Sequence, residues 1–149
     1  MGKIQSLKIF NKTLSIVLLI AILICIAAII LLCSTDRSDP FTEFYLLGPN
    51  GKANDYPTET LVNEPVFVII GITNRENEIT VYNIKIEIEG STTKEIQSIL
   101  LKNNEKQEIP IGLTPTKPGD HQKVEFLLYR EDQENPYLSL HLWIDVKSD

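Results

Sequence analysis

Leu14 to Leu32 constrains this chain more than any other stretch: nineteen residues carry no charge, and only Ser15 and Cys25 are even weakly polar. As a helix they span about 28 Å, close to the hydrocarbon thickness of a bilayer. Lipid leaves no solvent for backbone groups, so an apolar run without alternation predicts a helix. Lys3, Lys8 and Lys12 precede it, and Asp36, Arg37 and Asp39 follow. The basic flank stays inside, which predicts a cytoplasmic tail (1–13), a transmembrane helix (14–32), a linker (33–40) and an extracytoplasmic domain (41–149). A cleaved signal peptide would have an apolar core of roughly 7–15 residues and a small-residue cleavage site, and neither occurs before Asp36. A lipoprotein would be acylated at Cys33, where Leu32 takes the place of the usual small residue. The expectation is a single-pass, uncleaved anchor in the cytoplasmic membrane.

Charge follows the same division. All 20 acidic residues and eleven of the 14 basic ones come after the apolar run. An acidic domain does not bind nucleic acid by counterion release, so that class is set aside. Both cysteines, Cys25 and Cys33, lie in or beside the membrane segment. The outer domain therefore has no disulfide, thiolate nucleophile or cysteine-based zinc site, and about 110 residues must hold together by their core. The sequon Asn11-Lys12-Thr13 falls on the cytoplasmic side.

Beyond Pro40, period-two alternation dominates. "ITVYNIKIEIE" (Ile79–Glu89) puts Tyr82, Ile84, Ile86 and Ile88 on one face and Asn83, Lys85, Glu87 and Glu89 on the other. "VFVIIGIT" (Val66–Thr73) is apolar throughout, as a central strand is. Further strands are predicted at Phe41–Leu47, Lys94–Leu101, Glu105–Leu113, His121–Arg130 and Tyr137–Lys147, with a helical turn competing at Lys94–Leu101. Turn chemistry separates them: "NREN", "EGST", "KNNE", "PTKPGD" and "EDQENP". The fold class is mainly β: one N-terminal transmembrane helix, then an immunoglobulin-like antiparallel β-sandwich of about seven strands. If successive strands reverse, loop 48–55 lies at the membrane-distal end with Gly90–Thr92, Thr114–Asp120 and the C-terminus. Glu76, Glu78, Glu131, Asp132 and Glu134 then lie at the opposite end. Gly48, Gly51 and Asn54 suit that loop to positive-φ turns, whether it is a structural turn or a contact tip.

The segments "FTEFYLLGPNGKANDYPTE", "VIIGITNRE", "PGDHQKVEFLLYR" and "YLSLHLWIDV" resemble the archaeal DUF 1616 family of membrane proteins, over roughly Phe41 to Val146. The resemblance implies a sandwich-like domain attached to membrane helices, commonly several of them, with no established activity and no functional residues to carry over.

Chemistry concentrates on the last two strands. Setting Val124, Phe126 and Leu128 against Leu142, Leu140 and Leu138 leaves an outer ladder of Tyr129 with Tyr137, Glu125 with His141, Lys123 with Trp143, and His121 with Asp145. Lys123, Glu125, Tyr129, Tyr137, His141 and Trp143 are the candidate partner-binding face, set against a plain solvated face. His121 and His141 would stand about 13 Å apart along the strands, too far to share a zinc ion. The acidic "REDQENP" loop lacks calcium-loop spacing. No nucleophile elbow, phosphate loop or HExxH stretch occurs, so no catalytic, cofactor-binding or metal-ligating set is expected. The expected function is a membrane-anchored interaction module for a protein or cell-surface polymer, in contact with the lipid bilayer through 14–32. The alternative is an accessory subunit capping a membrane complex, for which Ala21, Cys25 and Ala28 supply a small-residue stripe. A carbohydrate-active enzyme is a third class, and it would need convergent carboxylates.

Overall fold

The structure is a computed structural model and describes residues 2–34, 39–131 and 133–148. Part of the expected linker and Asp132 of the acidic loop lie outside the described residues. The chain divides into two compact units, 1–39 and 40–149. The first is helix α1 (Gly2–Ser34). Every side chain from Leu14 to Leu31 on it is exposed.

The second unit holds eight strands: β1 (Phe41–Leu47), β2 (Glu59–Leu61), β3 (Val66–Arg75), β4 (Thr80–Ile88), β5 (Ser91–Leu101), β6 (Lys106–Leu113), β7 (Gly119–Arg130) and β8 (Leu138–Lys147). They form a three-stranded sheet ordered β1-β3-β6 and a five-stranded sheet ordered β2-β8-β7-β4-β5. Pairing is antiparallel except between β2 and β8. The alternation predicted from sequence is what builds the core. Val68, Ile70 and Ile72 of β3 face Tyr82, Ile84 and Ile86 of β4 and Val124, Phe126 and Leu128 of β7, all essentially buried. Leu142, Ile144 and Val146 complete that layer from β8.

Seven strands match the predicted ones, and Lys94–Leu101 is strand rather than helical turn. β2 is an addition to the seven. It is three residues long and parallel to β8, too short to show a period of its own.

The turns cluster as the reversal of strands requires. The connections after β1, β4 and β6 share one end with the C-terminus, and those after β3, β5 and β7 share the other. Loop 48–55 closes on itself, with Gly48 N–H donating to Lys52 O (2.8 Å) and Gly51 N–H to Gly48 O (3.0 Å). A side chain at Gly48 would run into the Asn54 carbonyl, which explains that glycine.

The register of β7 on β8 is the predicted one at five positions: Lys123 with Trp143, Val124 with Leu142, Glu125 with His141, Phe126 with Leu140 and Leu128 with Leu138. It departs at both ends. A register shift between Gly119 and Gln122 lifts His121 out of the ladder, at φ 54°. The predicted contact of His121 with Asp145 still forms, through its backbone N–H (2.7 Å) and its ring Nδ1 (3.4 Å). Tyr137 precedes β8, and its ring turns to a different site. The predicted Tyr129–Tyr137 pair therefore does not form.

Candidate functional site

Of the six residues predicted to form a binding face, four share one surface. Along β8 the inward positions are Leu140, Leu142, Ile144 and Val146, which leaves Ser139, His141 and Trp143 outward. Trp143 is 50 % exposed. The His141 ring meets it edge to face, centroids 6.0 Å apart, a favourable aromatic arrangement. On β7 beside them, Lys123 Nζ and Glu125 Oε1 pair at 2.6 Å and cancel each other's charge.

The other two go elsewhere. Tyr129 pairs across to Asn83 of β4. The Tyr137 hydroxyl donates to Glu76 Oε1 (2.9 Å), and the Arg130 guanidinium lies over its ring, 5.6 Å from the centroid.

That second location is a polar cluster between the two sheets. Thr42 Oγ1 donates to Glu76 Oε1 (2.6 Å), and Arg130 Nη1 donates to Glu76 Oε2 (3.2 Å). The Tyr82 hydroxyl lies 2.6 Å from Thr42 Oγ1. Asn74 Nδ2 donates to the carbonyls of Glu78 and Leu101, both at 2.8 Å, and the Glu76 N–H donates to Asn74 Oδ1 (2.9 Å). Burial raises the Tyr82 phenol above its ordinary value. The Tyr137 phenol is raised first by burial and then by its bond to Glu76. Glu76 was expected in an acidic surface turn, yet it is buried, because Thr42 of β1, Arg130 of β7 and Tyr137 just before β8 each supply it a partner. Both Glu76 carboxylate oxygens are taken up by partners from three different parts of the chain, so the cluster joins the sheets.

What opens to solvent is a groove of about 500 Å³ between β1 and β8. Phe44, Tyr45 and Leu46 line one side, and Leu140 to Trp143 line the other. Tyr56 and Pro57 cross one end of it, held by the Tyr56 hydroxyl donating to Leu46 O (2.8 Å). The groove exists because β1 ends one sheet and β8 loses its neighbour β2 above Asp145. Sequence reasoning found Trp143 and His141 and missed Phe44, Tyr45, Leu46 and Tyr56. The available signal was "YP" in the loop "NDYPTE", an aromatic beside a rigid turn residue. Tyr45 is held in place by a cross-strand contact. Its ring lies over Gly71 of β3, where any side chain would collide with it, and its hydroxyl donates to Glu108 (3.0 Å).

A larger cavity of about 650 Å³ lies at the end of the sandwich, lined by Ser91, Thr92, Thr93, Thr114 and Thr116 with charged neighbours. Its two carboxylates are already engaged, Asp120 with Lys147 at 2.6 Å and Glu89 with the Lys123 N–H. It offers hydroxyls and no aromatic surface, so the aromatic groove is the stronger candidate. Among the described residues, no three His, Cys, Asp or Glu side chains converge on a point that would hold a metal ion.

The fold has solved counterparts. The CARDB domain of a Pyrococcus furiosus protein, solved in complex with di-metal ions, matches with TM-score 0.56 and 15 % identity over 77 % of this chain and all of that one. Part of the Listeria innocua beta-glucosidase matches with TM-score 0.52 and 12 % identity, over 76 % of this chain but 17 % of the enzyme. A chain of the complex of Zinc 2-glycoprotein and Prolactin inducible protein from human seminal plasma matches with TM-score 0.51 and 9 % identity, over 76 % of this chain and all of that one. At such identities the likeness is one of fold, an immunoglobulin-like β-sandwich. No curated protein matches the sequence. Residues 35–145, which include the whole sandwich apart from its last strand residues, match the family described as a domain of unknown function, and the chain therefore belongs to the DUF1616 family.

Proposed function

We propose that this chain is a membrane-anchored interaction module, held by α1 with its sandwich outside the cell, and that the aromatic groove between β1 and β8 is its binding site. The observation that carries the reading is Trp143: a half-exposed tryptophan, edge to face with His141, lining an open groove together with Phe44, Tyr45 and Tyr56. Aromatic side chains of this kind give large contact area at low entropic cost and are frequent anchors of interfaces. The uniformly exposed apolar surface of Leu14–Leu31 supports the anchor, because a helix with that surface needs lipid or a partner around it. The reading is one of binding, because the lining of the groove is chiefly aromatic and aliphatic and the Lys123–Glu125 pair beside it is neutral.

A photo-crosslinking phenylalanine analogue placed at Tyr56 in native membranes tests this. An adduct is expected from position 56 and not from Lys94 on the far edge strand β5, and Trp143→Ala should abolish it. Absence of an adduct at position 56 would overturn the reading.

A further inference from the structure

We infer that the groove takes an extended polypeptide segment, added as a strand to the open edge of β8; this rests on the binding role proposed for the groove. A sheet edge displays unpaired N–H and C=O groups, and proteins blunt such edges with proline, charge or bulges. β6, an edge of the smaller sheet, carries Pro110. β5, an edge of the larger one, carries Lys94 and Glu95 and has two register shifts against β4. β8 has none of these devices along its open stretch. β2 pairs with it only from Asp145 to Lys147, and among the described residues no strand covers the edge from Leu138 to Ile144. That stretch, "LSLHLWI", contains no proline and no Asp, Glu, Lys or Arg. Its pairing with β7 is regular from Gln122 to Leu128.

The direction of the backbone follows from one bond. The Asp145 N–H donates to Thr58 O (2.8 Å), away from β7. Backbone groups alternate sides along a strand, so those of Trp143, His141 and Ser139 face the same open edge, with a repeat of about 6.8 Å. β2 cannot be extended backwards to meet them. Pro57 has no N–H, and Tyr56 is tied across to β1. The edge therefore begins where the chain's own strand leaves off.

The groove also selects the kind of strand. A strand laid on this edge sends alternate side chains to opposite sides. One set drops between the sheets onto Phe44, Leu46, Leu140 and Leu142, and the other lies on the outer face by His141 and Trp143. A second copy of this chain pairing through its own β8 would not fill the groove, because its inward Leu140 and Leu142 are packed in its own sandwich. The occupant is thus an extended segment free on both faces, apolar at alternate positions. Lys123 and Glu125 neutralise each other beside it, so uncharged polar residues suit the remaining positions.

Trp143 is the sole tryptophan, so its emission reports the site in the full chain in detergent micelles. The probe is a synthetic octapeptide of alternating valine and threonine with a terminal lysine. A saturable blue shift is expected. N-methylation of the alternate peptide nitrogens that would face β8 should weaken binding roughly tenfold or more, the loss of a few main-chain hydrogen bonds. Ser139→Pro should do the same, since the Ser139 N–H faces the open edge and takes no part in the β7 ladder. If that variant fails to fold, the methylated peptide decides alone. No shift with the unmethylated peptide, or equal binding of the methylated one, overturns strand addition. So does a cross-link from position 56 to a second copy of this chain. An adduct with a different macromolecule that persists while the peptide fails removes strand addition and leaves the groove a binding site; loss of every adduct removes both.

Discussion

Glu76 shows at the residue scale what a linear reading cannot reach. Its side chain is 4 % exposed and takes bonds from Thr42, Tyr137 and Arg130, which lie 34, 61 and 54 residues away. In the sequence it sits in "NREN", a stretch whose composition indicates a turn and nothing more. Arg130→Met would leave its carboxylate buried without a cation and should destabilise by about 3–5 kcal/mol. Glu76→Gln keeps an acceptor for Thr42 and Tyr137, while Arg130 retains Glu78 at 3.4 Å, so the loss should be smaller. Thermal denaturation of the full chain in detergent separates the two, and equal losses would mean the buried charge is not what matters. Tyr82 gives the same cluster a pH dependence. Burial raises its phenol above the ordinary value of 10.0, so the folded state holds this proton more tightly than the unfolded chain. Its contribution is fully present below about pH 10 and is lost as pH climbs through the higher folded value. Tyr82→Phe should flatten that alkaline loss, read as the melting temperature followed from about pH 8 to 11.

Elements were legible where alternation is long and illegible where it is short or interrupted. The nine residues of β4 show one apolar and one polar face, and the structure buries Ile86 fully while Glu87 pairs outward with Lys85 at 2.8 Å. Ile86→Ala should cost about 2–5 kcal/mol, whereas Glu87→Ala should cost under about 0.5 kcal/mol. Similar shifts of the urea midpoint for both would contradict the assigned faces. β2 left no trace in the pattern because "ETL" is held by β8 and by flanking bonds, Thr58 O to Asp145 and Val62 N–H to Lys147 O at 2.9 Å. The shift in β7 was also silent. Asp120 and His121 together stand opposite the single Asp145, and both are polar in a polar end of the strand and disturb no apolar period. Gly71 is a further case. Its burial under Tyr45 depends on register between β1 and β3, and Gly71→Ala should displace that ring and weaken the wall of the groove. The expected readout is lowered stability together with loss of the cross-link from position 56.

For the whole molecule, the sequence indicated two parts and the right sandwich class, but not that the sheets hold three and five strands. That inequality brings the β1 and β8 edges together beside a groove, and it depends on strand order, which periodicity does not encode. The candidate site was accordingly half legible. Trp143 and His141 follow from one strand's alternation, while Phe44 and Tyr56 require knowing which strands become neighbours. The proposed topology across a membrane rests on simpler grounds. α1 runs for 33 residues, about 50 Å, and exceeds a hydrocarbon core of about 30 Å. On the proposed reading the uncharged window Leu14–Leu31 would take the core, and the turns that contain Lys3, Lys8 and Lys12 would project on one side only. Loops rich in lysine remain cytoplasmic, so the acidic domain is expected outside. Protease added to intact, wall-stripped cells should digest residues 40–149 and spare an epitope fused before Lys3. Replacing the three lysines by glutamate should weaken that preference, because the orienting charge is then gone from the inner flank. A protected C-terminal domain in the unaltered chain would invert the topology, and a mature N-terminus near Cys33 would replace the anchor by a processed leader.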